Sequence, residues 1–522
     1  MTDDAPVLLA LDGITKRFGR VVANEDVSFD LRAGEIHALV GENGAGKTTL
    51  MRILYGMYHA DAGTIRFEGE PTVFRNPTDA IKHGIGMVHQ HFMLVPSFTV
   101  AENLTLGAEP RRGGLFDHAA ASAAVRETMD RLAVTIDPDA IVGDLSVATQ
   151  QKIEIAKVLY RGARVIILDE PTAVLTPQET TELFALLRRL ADDGSSIIFI
   201  SHKLREVFAL ADRVTVLRGG KTIVSRDVAE TTLEDTVAAM TGRSDVNLGR
   251  IIRNESDDAT IALTVDGLST ATQSHDSALS DVTFAVRAGE IVGVAGVEGN
   301  GQSVLAETLI GVVPATSGSI SLGGADVTAL GVAARRDKGF SYVPEDRHRE
   351  GLPMGGSVLE GMSAGRIRAR RGLGALGNTF RPSLRRWAGE QVDDYAIKTP
   401  GLDAHCGQLS GGNQQKVVIA RELDAEPEVL VLAQPTRGVD LGAIEFMYGK
   451  VAEATERGCA VVLISADLDE IFRLADRIVV MYGGRIVADE PAATATRERI
   501  GMFMAGIDAD AAQKSTAKKG AA

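Results

Sequence analysis

The chain has 522 residues, more than a single hydrophobic core accommodates, so two or more domains are expected. Hydrophobic residues at 45% and charged residues at 24% form an ordinary globular balance, and a net charge of −15 argues against a duty built on binding nucleic acid. Two cysteines, Cys406 and Cys459, are too few for a disulfide framework or a cysteine-rich metal site and fit a reducing cytosol.

The opening Met1-Thr-Asp-Asp4 is acidic and polar and does not read as a secretory signal. Ile36-His-Ala-Leu-Val40 reads as a buried strand and Thr49-Leu-Met-Arg-Ile-Leu54 as a helix. Between them, Gly41-Glu-Asn-Gly-Ala-Gly46-Lys47-Thr48 fits the phosphate-loop pattern G-x-x-x-x-G-K-[ST]. Its glycines let the backbone wrap closely and turn N–H groups toward phosphate oxygens. Lys47 can reach the β- and γ-phosphates, and Thr48 can hold Mg²⁺. Residues 115–160 read as largely helical. Val165-Ile-Ile-Leu-Asp169-Glu170 is an apolar strand ending in two carboxylates. Alone, such a pair is a common strand end. Downstream of a phosphate loop, Asp169 is expected to bind Mg²⁺ through water, and Glu170 to polarise the attacking water as general base.

Apolar runs such as Val165–Leu168, Ile197–Ile200 and Val461–Ile464 are far shorter than the roughly 18–20 residues that span a bilayer. Any membrane role is therefore expected to come through a partner. Residues 243–258 are polar, carry Asn254-Glu-Ser-Asp-Asp258, and read as a linker.

The chain then repeats itself. Val27–Ile36 matches Val282–Ile291 at an offset of 255, and Leu145–Lys152 matches Leu409–Lys416 at an offset of 264. Two copies of one α/β domain are expected, 1–242 and 259–508, each with a largely parallel sheet. Residues 358–425 repeat the helical character of 115–160. They include an arginine-rich stretch, Arg366–Arg386, readable as a solvated face or as contact with anionic lipid headgroups. The tail, 509–522, is small and polar and reads as disordered.

The order of motifs resembles the ATP-binding-cassette ATPases over nearly the whole chain: phosphate loop, Gln90, Leu145-Ser-x-x-x-Gln-Gln-Lys152, Asp169-Glu170-Pro171-Thr172 and Ile200-Ser201-His202. The resemblance implies two tandem P-loop domains. Each would have a RecA-like core, an antiparallel β subdomain and a helical subdomain carrying the signature. It implies head-to-tail packing, with ATP between the phosphate loop of one domain and the Leu-Ser-Gly-Gly signature of the other. Carried over, Phe18 resembles the aromatic that stacks on adenine. Gly41, Asn43, Gly44, Gly46, Lys47, Thr48 and Thr49 resemble the phosphate-binding set. Gln90 resembles the glutamine that touches Mg²⁺ or water and senses the membrane partner, and His202 the switch histidine on the γ-phosphate. Taken singly, Phe18 could equally be core, Gln90 surface and His202 a helix-start histidine.

The second copy departs from the pattern. Its loop is Gly296-Val-Glu-Gly-Asn-Gly301-Gln302-Ser303, with Gln302 where Lys47 stands, and its strand ends in Ala433-Gln434. Gln90 aligns with Glu345, His202 with Ala466 and Phe18 with Gln273. The signatures are asymmetric in the other direction. Ser410, Gly411, Gly412 and Asn413 are intact in the second copy, with Asp440 beyond, whereas the first has Ser146, Val147 and Ala148. The head-to-tail packing that the resemblance implies makes these losses coherent. Every intact part falls in one composite site and every damaged part in the other.

Gly86–Pro96, Leu159–Ala163, Val343–His348 and Ala433–Phe446 further resemble the motors of bacterial sugar and nucleoside importers, nucleoside branch. That resemblance implies two integral-membrane permeases and a solute-capturing lipoprotein as partners at the cytoplasmic face of the membrane, and no nucleic acid. The sugar branch usually keeps Asp-Glu where this chain has Ala433-Gln434. The groove around Gln90–Pro96 is the expected docking surface, with Phe92 and Met93 as contacts or as internal packing. A soluble ATP switch in translation or repair is the reading from another class. Its translation members carry a long charged linker and two intact sites, and its recycling and repair members carry cysteine-rich metal sites.

Overall fold

Four consecutive apolar residues, Val165–Leu168, and the neighbouring strand Ser196–Ile200 are wholly buried, which requires strands covered on both faces. A computed structural model of the chain describes residues 6–19, 21–90, 92–172, 175–201, 203–242, 259–271, 276–365 and 381–507. It divides into two units, Met1–Val246 and Asn247–Ala522. The expected linker, 243–258, and tail, 509–522, lie outside the described residues, as do Gln273 and 366–380 of the arginine-rich stretch.

In the first unit, six strands form one sheet in the order 221–227, 213–218, 36–41, 196–200, 165–169 and 85–88. All neighbours are parallel except the antiparallel edge, Lys221–Asp227. A second, antiparallel sheet pairs Val7–Phe18 with Val21–Arg32 and Ala62–Phe67, and the latter with Glu70–Thr72. Leu9, Leu11, Val27, Phe29 and Leu31 face inward from that sheet and meet Leu50, Met51 and Leu54 of the helix Lys47–Leu54 in one core. The second unit repeats the plan. Its large sheet runs 340–343, 429–433, 460–465, 291–295, 477–482 and 485–491, beside an antiparallel sheet of 282–287, 261–270, 315–322 and 325–326.

The helical character expected of 115–160 is present in His118–Leu132 and Val147–Tyr160. The segment opens differently, however, as a small hairpin of Arg111–Arg112 with Leu115–Phe116. Gly113 and Gly114 make its turn at φ 62° and 87°, a region glycine occupies without a steric penalty. In the second unit the helical segments are Val358–Ser363, Arg381–Asp394 and Gly411–Leu423. Of the arginine-rich stretch, Arg385 forms a two-pronged ion pair with Asp403 at 2.7 Å, so this guanidinium serves its own unit.

In the second unit a buried carboxylate joins the helix Gly411–Leu423 to the strand Phe340–Val343, whose Tyr342 amide donates to Glu422 Oε2 at 3.4 Å. Glu422 is fully buried and is held by Arg336 at 2.7 Å and Arg421 at 2.8 Å, which keep its carboxyl below the usual range despite burial.

Candidate functional site

Parallel register brings the strand ends of the first unit together. Leu39 pairs with Ile200, and Ile200 with Asp169, so the phosphate loop and the acidic strand end emerge on one edge of the sheet. The loop requires its glycines. A Cβ on Gly41 would overlap the Leu217 carbonyl oxygen. One on Gly46 (φ 100°) would overlap the Ala23 carbonyl and crowd the Asn24 amide at 2.5 Å. Gly46 begins the helix Lys47–Leu54 with no side-chain cap, so the helix N-terminus is left to backbone donors, the arrangement that suits an anion. Thr48 and Thr49 lie in its first turn.

Lys47 is buried, and Nζ donates to the carbonyls of Gly41 at 2.7 Å and Glu42 at 3.0 Å. Burial pushes its ammonium down, while Glu170, Asp169 and Glu42 pull it up. Asp169 is buried too. Desolvation, with the charge of Glu170 added, pushes its carboxyl up to about 6, against the opposing pull of Lys47 and Arg52. Glu170 sits at φ 49°, a left-handed conformation unusual for a non-glycine residue, held by its amide bonding the Ile200 carbonyl at 3.0 Å. Gln90 Nε2 donates to Glu170 Oε2 at 3.4 Å, bringing two separately expected residues together. Phe18 ends the strand Val7–Phe18, 44% exposed, with Tyr58 edge-on at 5.3 Å and the Lys16 ammonium 5.5 Å from its ring centre. It is thus a surface aromatic rather than core. His202 lies outside the described residues, between Ser201 and Lys203.

One residue at this site escaped the sequence reading. Glu206 Oε2 accepts from Thr172 Oγ1 at 2.5 Å and Ser201 Oγ at 3.4 Å, joining the segment after Glu170 to the segment before His202. The available signal was its repetition, since Glu470 stands 264 positions later.

The equivalent region of the second unit is built differently. Gly301 repeats the geometry of Gly46 at φ 99°, and Gln302 replaces the lysine in a buried position. Gln302 Nε2 crowds the place a Cβ on Gly296 would take. The amide of Gly301 donates to the Asp276 carboxylate at 2.7 Å. Ser303, Glu345 and Ala433 line a cavity of about 490 Å³ together with Glu307, Glu350 and Arg437. Arg437 pairs with Glu345 across it. Burial, reinforced by Glu350 and Asp276, pushes the Glu307 carboxyl up, and burial likewise raises Glu345. Gln434 occupies the left-handed position of Glu170, at φ 44°, and its Oε1 accepts from the Ala466 amide at 3.3 Å.

The signatures also differ in use. Ser146 caps its own helix through the Thr149 amide at 3.3 Å, with Ala148 in the first turn. Ser410 does not cap. Its hydroxyl accepts from Asn413 Nδ2 at 2.8 Å, and Asn413 Oδ1 takes the Lys398 amide at 2.8 Å. A Cβ on Gly412 would come within 2.5 Å of Asp440 Oδ2, and one on Gly411 within 2.8 Å of the Gly438 carbonyl. These glycines therefore admit the segment that carries Asp440.

A family model described as "ABC transporter" matches residues 24–173 and again 279–437. The chain belongs to the ABC transporter ATP-binding family. This ABC protein is 42% identical to the guanosine import ATP-binding protein NupO of Bacillus subtilis, over 94% of this chain and 96% of that one. It is 41% identical to the nucleoside import ATP-binding protein NupA of Lactococcus lactis, over 94% and 97%. It is 43% identical to the ribose import ATP-binding protein RbsA 1 of Rubrobacter xylanophilus, over 96% and 99%. Among solved structures, a complex of the archaeal ribosomal stalk protein aP1 and the ribosome recycling factor aABCE1 aligns with a TM-score of 0.62 at 20% identity, over 95% of this chain and 92% of that one. At that identity the likeness is one of fold. As a member of this family, the chain is an ATPase of the ABC type. No described helix is long and apolar enough to cross a membrane.

Proposed function

We propose that this protein is the ATP-hydrolysing subunit of a nucleoside importer and works through one composite ATP site. The observation that carries the reading is the asymmetry of the two copies. Lys47, Asp169 and Glu170 stand in one, while Ser410, Gly411, Gly412 and Asp440 stand in the other.

In this reading the phosphate loop, Gly41, Asn43, Gly44, Gly46, Lys47, Thr48 and Thr49, takes the triphosphate, and Phe18 stacks on the base. Glu170 accepts a proton from the attacking water, oriented with Gln90, and His202 contacts the γ-phosphate. Ser410, Gly411, Gly412, Asn413 and Asp440 close on the same triphosphate from the second unit. Thr48, Asp169 and Gln90 fit a magnesium ion, because these are hard oxygen donors and Asp169 is a carboxyl whose burial is unfavourable without a cation. Among the described residues, no group of three His, Cys, Asp or Glu could hold a metal alone, as suits an ion that shares phosphate and water ligands. Such an ion would neutralise charge developing on the phosphates.

Two membrane permeases and, through them, a solute-capturing lipoprotein are the partners, with the protein on the cytoplasmic face of the membrane. Met93, 62% exposed beside a small pocket lined by Tyr55, His89, Glu154 and Lys157, supports a permease-docking role for the 90–96 segment. The relatives named for nucleosides support that solute class. The ribose relative, equally similar, supports a sugar as the second reading.

The decisive measurement is ATPase activity of the complex reconstituted with its permeases, screened across nucleosides and simple sugars. Stimulation by nucleosides is expected, and stimulation by sugars alone replaces the solute assignment. In the same assay Glu170→Gln should lose about 10²–10⁴ in rate, whereas Gln302→Ala should stay near the parent. Comparable losses in both variants sink the one-site reading.

A further inference from the structure

The stretch after the strand Phe340–Val343 does more than replace Gln90 by Glu345. Asp346 Oδ1 accepts from the amides of His348 and Arg349 at 2.9 and 3.2 Å, and the chain closes a wide helical turn over Arg347–Gly351. This turn aims Arg347 at two other elements. Its Nη1 donates to the Arg437 carbonyl at 2.7 Å and its Nη2 to the Gly438 carbonyl at 3.2 Å. Its Nε donates to Gln414 Oε1 at 3.3 Å. His348 Nε2 lies 2.9 Å from the same oxygen. Gln414 is buried in the helix Gly411–Leu423, and its amide nitrogen donates to the carbonyls of Cys406 and Leu409, just ahead of the signature.

One guanidinium therefore joins the segment leading to Asp440 with the helix that begins at Ser410. The join is tight, since a Cβ on Gly411 would come within 2.8 Å of Arg347 Nη2. The first unit has Phe92 at the corresponding position, 255 residues earlier, and it also lacks the signature glycines and the aspartate. The arginine thus accompanies the copy that carries the intact signature.

We propose that Arg347 is a positioning residue. Seated by Gln414, it fixes Gly438–Asp440 and Ser410–Gly412 in one register, so that they meet the triphosphate held by the other unit as a single rigid surface. This rests on the one-site reading above. The chemistry requires arginine. Its planar fork can reach two neighbouring carbonyls and a side-chain oxygen at once, whereas lysine is a point charge on a flexible stem.

The test uses the full chain. Arg347→Ala should lower kcat by about 10²-fold, the scale of a misplaced catalytic surface. ATP binding without magnesium, which draws on the first unit, should stay within about twofold, and the melting temperature should be unchanged. In the Glu170→Gln background, labelled ATP retained through gel filtration should fall at least about tenfold on adding Arg347→Ala. Arg347→Lys should not restore turnover, and added guanidinium ion should restore part of it in Arg347→Ala. Turnover lost in Glu170→Gln but kept in Arg347→Ala overturns the proposal alone. Losses of turnover, ATP binding and melting temperature together also overturn it, by reducing Arg347 to a folding role. Turnover that survives in Glu170→Gln overturns the one-site reading, and the proposal with it.

Discussion

Asp169→Asn removes a carboxylate that the fold holds against its electrostatic preference. The side chain is buried, and its carboxyl is pushed from 3.8 to about 6, mainly by desolvation and then by Glu170. The folded state therefore holds the proton more tightly than the unfolded chain. Stability falls as pH rises between these two values, and the full penalty is present above about 6. A difference of that size corresponds to about 3 kcal/mol. Asp169→Asn should accordingly raise the stability of the first unit by about 3 kcal/mol at pH 7, and by roughly half that at pH 5. For a unit of this length the gain at pH 7 translates into a melting shift on the order of 5–10 °C. The assay is thermal unfolding of the full chain with a metal chelator present, at both pH values. A variant that melts at or below the parent at pH 7, or whose advantage does not shrink at pH 5, refutes the reasoning. Adding magnesium and ATP should then stabilise the parent far more than the variant, because only the parent keeps the carboxylate that favours the ion.

Titration calorimetry with the non-hydrolysed Glu170→Gln chain should give one nucleotide per chain, since Asp276 takes the Gly301 amide and carboxylates line the second cavity; two sites of similar affinity would contradict this. Phe18→Ala should raise the ATP concentration needed for half-maximal rate by about tenfold or more, because stacking of a base on an aromatic is worth about 1–3 kcal/mol, and a variant indistinguishable from the parent would remove Phe18 from the site. Glu206→Gln should slow turnover by about tenfold with little change in ATP affinity, through weakening a charge-assisted bond to Thr172 worth about 1.5–3 kcal/mol. Glu470 is fully buried with its carboxyl pushed up to about 8, so the second unit should lose stability as pH rises from about 5 to 8; Glu470→Gln should flatten that dependence in pH-resolved melts.

Local chemistry carried most of what the sequence revealed. The strand, phosphate loop and helix over 36–54 are contiguous, and each has its own signal: a run of apolar residues, spaced glycines, then a 3.6-residue pattern. The parallel sheet of each unit followed from apolar runs alternating with helical stretches, whereas the antiparallel sheet was implied only by the family resemblance. What stayed hidden depends on distance along the chain. Arg347 reaches partners 67, 90 and 91 positions away, and no local pattern announces such a meeting. The hairpin at 111–116 was hidden because two-residue strands are too short to show alternation. Glu422 with Arg336 and Arg421 was hidden because charged residues in a helix read as a solvated face, and only the fold shows them enclosed. Glu206 was open to reading, since Glu470 stands at the repeated position 264 residues later, but neither lies inside a motif that carries chemistry.

The awkward backbone at Glu170 has an exact echo in Gln434, with φ values of 49° and 44° and amides bonded to Ile200 and Ile464. A main-chain posture that serves a carboxylate in one half persists where the carboxylate is gone. The two halves therefore differ here in what hangs from the scaffold and not in the scaffold itself. For an engineer, Ala433→Asp with Gln434→Glu would set acids onto a frame already bent to receive them. Those two acids would still face Asp276, Gln302, the Glu345–Arg437 bridge and Ala466, and the chain path after Glu345, where the wide turn Arg347–Gly351 has no counterpart among the described residues of the first unit.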